Sequence, residues 1–500
     1  MTNRFRRANA RLAWLRWSLL LPAWGQLAGA QTQPIPITAD VNVTATAVHS
    51  DGPSSSGTQG TELVMATSAG VAVHRAAGTV RADGNVRLTA VHYVRGQLGD
   101  RLLPTGNVLL QAQSPGNGLG LDINASAQQV KSSQVNQPVN PVQASGTYNS
   151  AQLQLTPHWE KDLGATAHVS VRLSRSLVQN WAIGHSSTPP PADSRVSDDS
   201  LALNRRPTPL GYGVEWHDQH TALRDGAGPA YGERNERAVL SLAASTQVLV
   251  SALAGQSTSR SGQFSRTDPT HGLRLTWQAS PRGKLEAEAE QRFWGRADKL
   301  DFTQSGERLS FSLNRVRDAT TLSAAQVGTA SSNAATAATS AGNPATGPTA
   351  ATPGLSPSVT DGVVRRDALG GSATYLLTRR DTIGATGGFI RTAPLSLQQG
   401  SSGSNLGPKT RDHYLGLNFD HRLTPTTTWS ASLRWDRSWN IAALPQGAAL
   451  SRDFTWKTGL NTSLNPSTSA TMGIQREITH RTSLPDTSDT QMYLGLTHRL

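Results

Sequence analysis

Between Asp412 and Asn440 apolar and polar residues change places at nearly every step. Leu415, Leu417, Phe419 and Leu423 share one parity, and Gly416, Asn418, Asp420 and Arg422 take the other. After the turn Thr424-Pro425-Thr426-Thr427-Thr428, the pattern resumes. Trp429, Ala431, Leu433, Trp435 and Trp439 alternate with Ser430, Ser432, Arg434, Asp436 and Ser438. Period two over ~10 residues per arm describes a strand with one apolar and one polar face. A helix would need apolar residues at i, i+3, i+4 and i+7. The stretch therefore predicts one long antiparallel hairpin.

The same phrase recurs along the chain. A first strand is expected at 38–49, then hairpins 62–75/79–94 and 102–113/119–130. Strands 144–155 and 165–177 follow, with a turn placed around Pro157. A loop at 185–198 leads to weaker strands at 200–205 and 212–222, and then to 237–244 and 247–259. Around residue 280 the alternation is again clear. Leu273, Leu275 and Trp277 run to the turn Ser280-Pro281-Arg282-Gly283. The return strand sets Leu285, Ala287, Ala289 and Phe293 against Glu286, Glu288, Glu290 and Arg292. Strands at 299–303 and 309–317 precede an Ala/Thr/Ser/Gly/Pro tract at 319–362, which has no periodicity and predicts an irregular loop. Strands resume at 367–377 and 383–392. After the first-described hairpin come 453–464, 470–479 and 491–500.

Short turns, often marked by Pro, alternate with longer polar connections. That rhythm, together with strands of this length, predicts an all-β, transmembrane, antiparallel up-and-down β-barrel of about 22 strands, bracketed between 18 and 22. Composition agrees. Of 500 residues only 36% are hydrophobic and 16% charged, against roughly 45–50% and 25% in soluble domains. A barrel with lipid outside and water inside needs no filled core, so a mildly polar average suffices. A soluble β-sandwich would show the same parity, but the thin apolar side chains here (Ala, Leu, Gly) would not fill its core. Trp277, Phe293, Phe311, Phe419, Trp429, Trp435 and Trp439 lie on the apolar parity, as an interfacial aromatic girdle requires.

The first thirty residues read as a signal peptide. Arg4, Arg6, Arg7 and Arg11 form a basic start, an apolar run interrupted by Arg16 reaches Leu27, and Ala28-Gly29-Ala30 offers cleavage before Gln31. Removing those five arginines and no acid lowers the formal charge from +12 to +7. Residues 31–500 then form a single barrel carrying the 319–362 insertion. No long segment precedes the first strand, so no plug domain is expected.

Candidate chemistry is sparse. The chain has no cysteine, which excludes disulfides, thiolate metal sites and a thiol nucleophile. No Ser/His/Asp spacing, phosphate-binding glycine loop or HExxH motif occurs. His217-Asp218 with His220 could hint at a metal, but a solvated strand end explains them better. Glu286, Glu288 and Glu290 share one face and predict a lumen ladder neutralised by bases such as Arg274 or Arg308. No catalytic residue, cofactor, metal or nucleic-acid partner is expected.

From 270 to 321 the sequence resembles a known family. The residues that carry the likeness are Trp277, Ser280-Pro281-Arg282, Leu285 and Arg292-Phe293-Trp294-Gly295, then Leu300-Asp301-Phe302 after a short link, and a strand leading to Asp318-Ala319-Thr320-Thr321. They are similar to uncharacterised outer-membrane β-barrel proteins associated with the bacterial PEP-CTERM/exosortase system. The resemblance implies an envelope role in exopolysaccharide or exported-protein traffic, with outer-membrane lipid and acidic polysaccharide or polysaccharide-export components as partners. It supplies no active-site residues, and the 319–362 tract is longer than the family pattern. The expected function is thus a non-enzymatic outer-membrane channel or docking element. The alternatives are a secreted or surface β-rich adhesin and, more remotely, an outer-membrane enzyme on a barrel scaffold.

Overall fold

The alternating segments become twenty-two strands in the computed structural model. It describes residues 37–51, 60–75, 78–95, 100–131, 147–182, 190, 192–224, 230–262, 264–321, 324, 363–395, 409–441, 449–482 and 484–500. The segment expected to be a signal peptide and most of the 319–362 tract lie outside the described residues. The strands are β1 Ile37–Asp51, β2 Gly60–Arg75, β3 Val80–Tyr93, β4 Arg101–Gln113, β5 Leu119–Lys131, β6 Thr147–Leu163 and β7 Ala167–Ala182. Next come β8 Ser194–Arg205, β9 Leu210–Leu223, β10 Tyr231–Ala243, β11 Val248–Ser261, β12 Phe264–Ser280, β13 Gly283–Arg292, β14 Gly295–Ser305 and β15 Leu309–Thr320. The last are β16 Val364–Leu376, β17 Asp381–Pro394, β18 Lys409–Arg422, β19 Thr427–Ile441, β20 Ala449–Asn465, β21 Thr468–Arg481 and β22 Leu484–Arg499.

Each strand pairs antiparallel with its neighbour in sequence, and β22 pairs back onto β1 from Asp40↔Arg499 to Asp51↔Ser488. The sheet is a closed up-and-down barrel, and closure removes the unpaired edge that an open sheet would expose. At a strand spacing of ~4.8 Å and a tilt of ~40°, twenty-two strands enclose a ring about 44 Å across between backbones.

Period two decides which residues face out. Cross-strand partners share a face, so one row can be followed around the wall: Leu417, Leu433 and Trp456 are successive partners on β18, β19 and β20. Leu415, Leu417, Leu433 and Trp435 are all exposed, as are Tyr212, Leu240, Leu273, Met472, Leu494 and Val86 elsewhere on the ring. The other parity holds the buried residues, and these are mainly polar: Ser68, Asn124, Gln154, Ser174, Glu233, Ser257, Glu290 and Asp453 among them. Apolar outside and polar inside is the reverse of a soluble fold.

Ten connections at one end, the turn end, are tight, from 466–467 up to 114–118. At the opposite loop end most connections are longer, including 132–146, 183–193, 321–363 and 395–408. The expected alternation is incomplete there, because 262–263, 293–294 and 482–483 are also short. One tight turn depends on its glycine. Gly118 has φ +67°, and an added Cβ would lie 1.6 Å from the Glu160 carbonyl oxygen. The Glu160 N–H donates to the Gly118 carbonyl at 2.8 Å, so the two backbones are already in contact.

Several expectations are corrected. No turn forms at Pro157, which lies inside β6 opposite Leu121; pairing to β7 passes over Thr156 and Pro157, and the turn comes at 164–166. A missing N–H costs one ladder bond here without ending the strand. β8 begins at Ser194, inside the expected 185–198 loop, and the link after residue 295 is the first part of β14. Phe293 is not on a strand face but in the two-residue turn with Trp294. Ala319 and Thr320 finish β15 instead of opening the irregular tract, and both are buried.

Beyond β15 the chain turns inward. Thr321 Oγ1 donates to Thr221 Oγ1 of β9 at 3.3 Å. Ala324 packs with Val178 of β7 and Val196 of β8. The described start of the long connection therefore leans across the inside of the barrel toward β7–β9.

Candidate functional site

The lumen face carries the charged chemistry of the fold, in two arcs. The first spans β9, β10, β12 and β13. Arg274 on β12 donates through both terminal nitrogens to Glu215 on β9, at 2.7 and 2.9 Å, and through Nε to Glu288 on β13 at 2.8 Å. Arg237 on β10 bonds the same two acids, Glu215 at 2.9 Å and Glu288 at 2.7 Å, and reaches Glu290 at 3.4 Å. Arg292 donates to Glu290 at 2.8 Å and to Glu233 of β10. Glu233 also accepts from the Tyr231 hydroxyl at 3.0 Å.

Three guanidiniums thus cross-link four carboxylates, and together these groups are carried by four strands, β9, β10, β12 and β13. Planar forked donors suit this task, because each guanidinium can serve two carboxylates at once. Glu290 and Glu233 are nearly inaccessible, with side chains 2% and 5% exposed. The lattice spends its donors on itself. Chemically it is a stiff, hydrophilic wall, with no side chain placed as a nucleophile and base.

Toward the loop end the turn Phe293-Trp294 caps this wall. Trp294 is buried with Tyr231, Ala319 and Val363, while Phe293 and Leu395 pack at the edge. The Arg266 guanidinium lies 5.1 Å from the Phe293 ring centroid. Gly295, at φ +121°, lets the chain leave the turn.

The second arc is acidic. Asp412, Asp436, Asp453, Glu477, Asp489 and Glu62 point inward from β18, β19, β20, β21, β22 and β2. Asp436 stands directly across from Asp453, and Glu477 from Asp489. Arg434 forks onto Asp436 at 2.7 and 2.9 Å, Thr479 donates to Asp453 at 2.6 Å, and Ser50 bonds Asp489.

The sequence-derived candidates separate on this geometry. Glu288, Glu290 and Arg274 enter the lattice, whereas Glu286 lies nearer the turn end and pairs with Lys284 at 2.5 Å. Arg308 sits in the turn 306–308, away from the ladder. Of the resemblance residues, Trp277 is exposed on the outer face, Ser280 and Gly283 close the turn that holds Pro281 and Arg282, and Leu285 pairs with Trp277. His217 and Asp218 face opposite sides of β9: His217 meets Asp198 at 3.0 Å in the lumen, while Asp218 meets Arg234 at 3.4 Å outside. Among the described residues no group of three metal-ligating side chains converges. Sequence reasoning missed Glu215, Glu233 and Arg237, although each shows polar parity within its own strand.

No family model matches the chain, and no curated protein matches it. Solved structures do. OpdK of Pseudomonas aeruginosa with vanillate is 8% identical, over 93% of this chain and 99% of that one, with a TM-score of 0.37. The ferric enterobactin receptor PfeA of the same organism, in complex with enterobactin, is 10% identical over 94% and 82%, with a TM-score of 0.45. OccK3 (OpdO), also of P. aeruginosa, is 10% identical over 93% and 96%, with a TM-score of 0.34. At such identities and scores neither cargo nor mechanism passes from those proteins to this one.

Proposed function

We propose that this chain is an integral β-barrel of a bacterial outer membrane, acting as a non-enzymatic passage or docking element. One observation carries the reading: a belt of exposed apolar side chains encircles a lumen lined by polar and charged ones. In water, so large an apolar exterior would drive association. Against hydrocarbon it is the stable arrangement, because a closed barrel also satisfies every strand's backbone groups. The longer connections then mark the cell-exterior side, and the tight turns face the periplasm. The traffic to which the family resemblance points, exopolysaccharide or exported protein of an exosortase system, is the proposed cargo.

The test is to refold the chain from Gln31 in detergent, insert it into a planar bilayer and record conductance, with and without an acidic polysaccharide. Large steady steps that the polymer blocks are expected. A barrel that folds and inserts yet stays silent refutes the open passage and leaves the docking role. Alkaline carbonate extraction separates both from a secreted adhesin, since an integral barrel remains with the membrane.

A further inference from the structure

Four dipeptides near the loop end have a common form: Arg411-Asp412, Asp436-Arg437, Arg452-Asp453 and Arg476-Glu477. In a strand, neighbours in sequence point to opposite faces. The acids face the lumen, as described above, so the arginines face outward. They share parity with the exposed Leu415, Trp435, Phe454 and Met472 of the apolar belt. Arg391 joins them on β17, next after Phe389 on the outer face.

Four of these arginines form one patch. Arg391 and Arg411 are direct cross-strand partners, and so are Arg437 and Arg452; the adjoining row runs His413↔Arg437↔Arg452↔His480. With strands ~4.8 Å apart, the patch spans about 14 Å from β17 to β20. It begins two residues past Trp435 and Phe454, about 7 Å along the strand toward the loop end. That is the border of the belt.

Like charges directly opposite each other destabilise a sheet unless something neutralises them. Among the described residues nothing does so here. Among the described residues none of the four arginines has an acidic partner within ion-pair distance, and the Nε of Arg437 is buried with no hydrogen-bond partner. Asp367 stands across from Arg391, but its carboxylate goes to Arg317 at 2.9 Å. The segments 395–408 and 442–448, which join these strands, contain no Asp or Glu. The acidic neighbours of Arg411, Arg437 and Arg452 lie on the other side of the wall, and Arg391 is flanked by Ile390 and Thr392. Elsewhere on the outer face Arg175 pairs with Asp199 at 2.9 Å, Arg234 with Asp218 at 3.4 Å, and Arg296 with Asp298, while Arg195 and Arg260, which have no ion pair among the described residues, have no arginine across from them. Aromatic rings hold the free ones in place, with Arg437 4.1 Å from the Trp439 centroid and Arg391 5.0 Å from that of Phe389.

We infer that Arg391, Arg411, Arg437 and Arg452 form a binding surface for the phosphate headgroups of anionic lipid in the leaflet at the loop end. Guanidinium forks match phosphate oxygens two at a time. A headgroup at the edge of the belt supplies the missing negative charge where its acyl chains already contact Leu415, Trp435 and Phe454. The inference rests on the membrane reading above, and the test separates the two.

The test places the protein in phosphatidylcholine vesicles containing spin-labelled phosphatidic acid and measures its enrichment in the lipid shell against spin-labelled phosphatidylcholine. The wild-type protein should prefer phosphatidic acid about five-fold, the effect of one basic residue at a charged membrane surface. Arg391→Gln/Arg411→Gln/Arg437→Gln/Arg452→Gln should abolish the preference, whereas Arg175→Gln, which removes a paired outer arginine, should leave it intact. Should the quadruple variant not fold, each cross-strand double variant should lose a large part of the preference. An inserted, heat-modifiable barrel with no preference, or one that keeps it in the folded variants, overturns the inference alone. Failure of the wild-type chain to insert overturns the membrane reading and the inference with it.

Discussion

Replacing Leu433 by arginine tests the inside-out architecture at one residue. Leu433 is 47% exposed and lies between Leu417 and Trp456 in the outer row. In a soluble protein a half-exposed leucine tolerates such a change within about 0.5 kcal/mol. Facing hydrocarbon near the middle of the belt, the same change should cost about 2–4 kcal/mol. That corresponds to roughly 30- to 700-fold in the folding equilibrium. The control is Ser430→Arg on the same strand. Ser430 faces the lumen and donates to Asp420 at 2.6 Å, so an arginine there remains hydrated beside an acid and should cost less than about 1 kcal/mol. Urea titration of protein folded into lipid vesicles, followed by the heat-modifiable gel shift, reads both. Equal effects, or a larger loss at Ser430, would refute the assignment of faces.

Arg237→Ala should destabilise the barrel by about 1–3 kcal/mol, because it leaves Glu215, Glu288 and Glu290 short of donors. A double-mutant cycle with Glu288→Gln should show coupling of about 0.5–3 kcal/mol, and additivity would show that the lattice is not cooperative. Gly118→Ala should lower stability by clearly more than Gly164→Ala. Both glycines have positive φ, near +67° and +69°, but an added methyl meets backbone only at Gly118; the second change should cost about 1 kcal/mol, and urea midpoints rank the two. Trp294→Ala should cost about 3–5 kcal/mol by emptying the contact among Tyr231, Ala319 and Val363, measured by the same titration; a loss below 1 kcal/mol would show that the turn does not anchor the wall.

The barrel was legible in the sequence because its determinant, the two-residue period, is local. Every strand of the hairpin at 412–440 could be assigned to a face without knowing its neighbours. Pro157 misled because proline usually ends pairing, yet here it removes only one bond from one side of β6. The turn at Phe293-Trp294 misled for the opposite reason. Two large aromatics continue an apolar parity, and what ends the strand is burial of Trp294 against β10, β15 and Val363, contacts distant in sequence. Likewise Glu286, Glu288 and Glu290 were visible as one face. Arg237, which bonds Glu288 and Glu290, and Glu215, which shares Arg237 and Arg274 with Glu288, lie on β10 and β9 and meet them only when the sheet curves. Glu286 instead pairs locally with Lys284. The outward arginines were present as dipeptides, but whether an outer arginine is paired depends on the register of four strands.

The seam between β1 and β22 differs from the other twenty-one in one respect. Each of those joins strands adjacent in sequence, while this one brings together residues such as Asn42 and Thr497, bonded at 2.7 Å and 455 positions apart. Closing so long a loop costs on the order of 5 kcal/mol in chain entropy, against about 1 for a four-residue turn. Hairpins can therefore form early and independently, but the ring completes in a single late event of high contact order. Until it does, β1 and β22 both present open edges to any other strand, so the assembly of this barrel is most vulnerable in its final step.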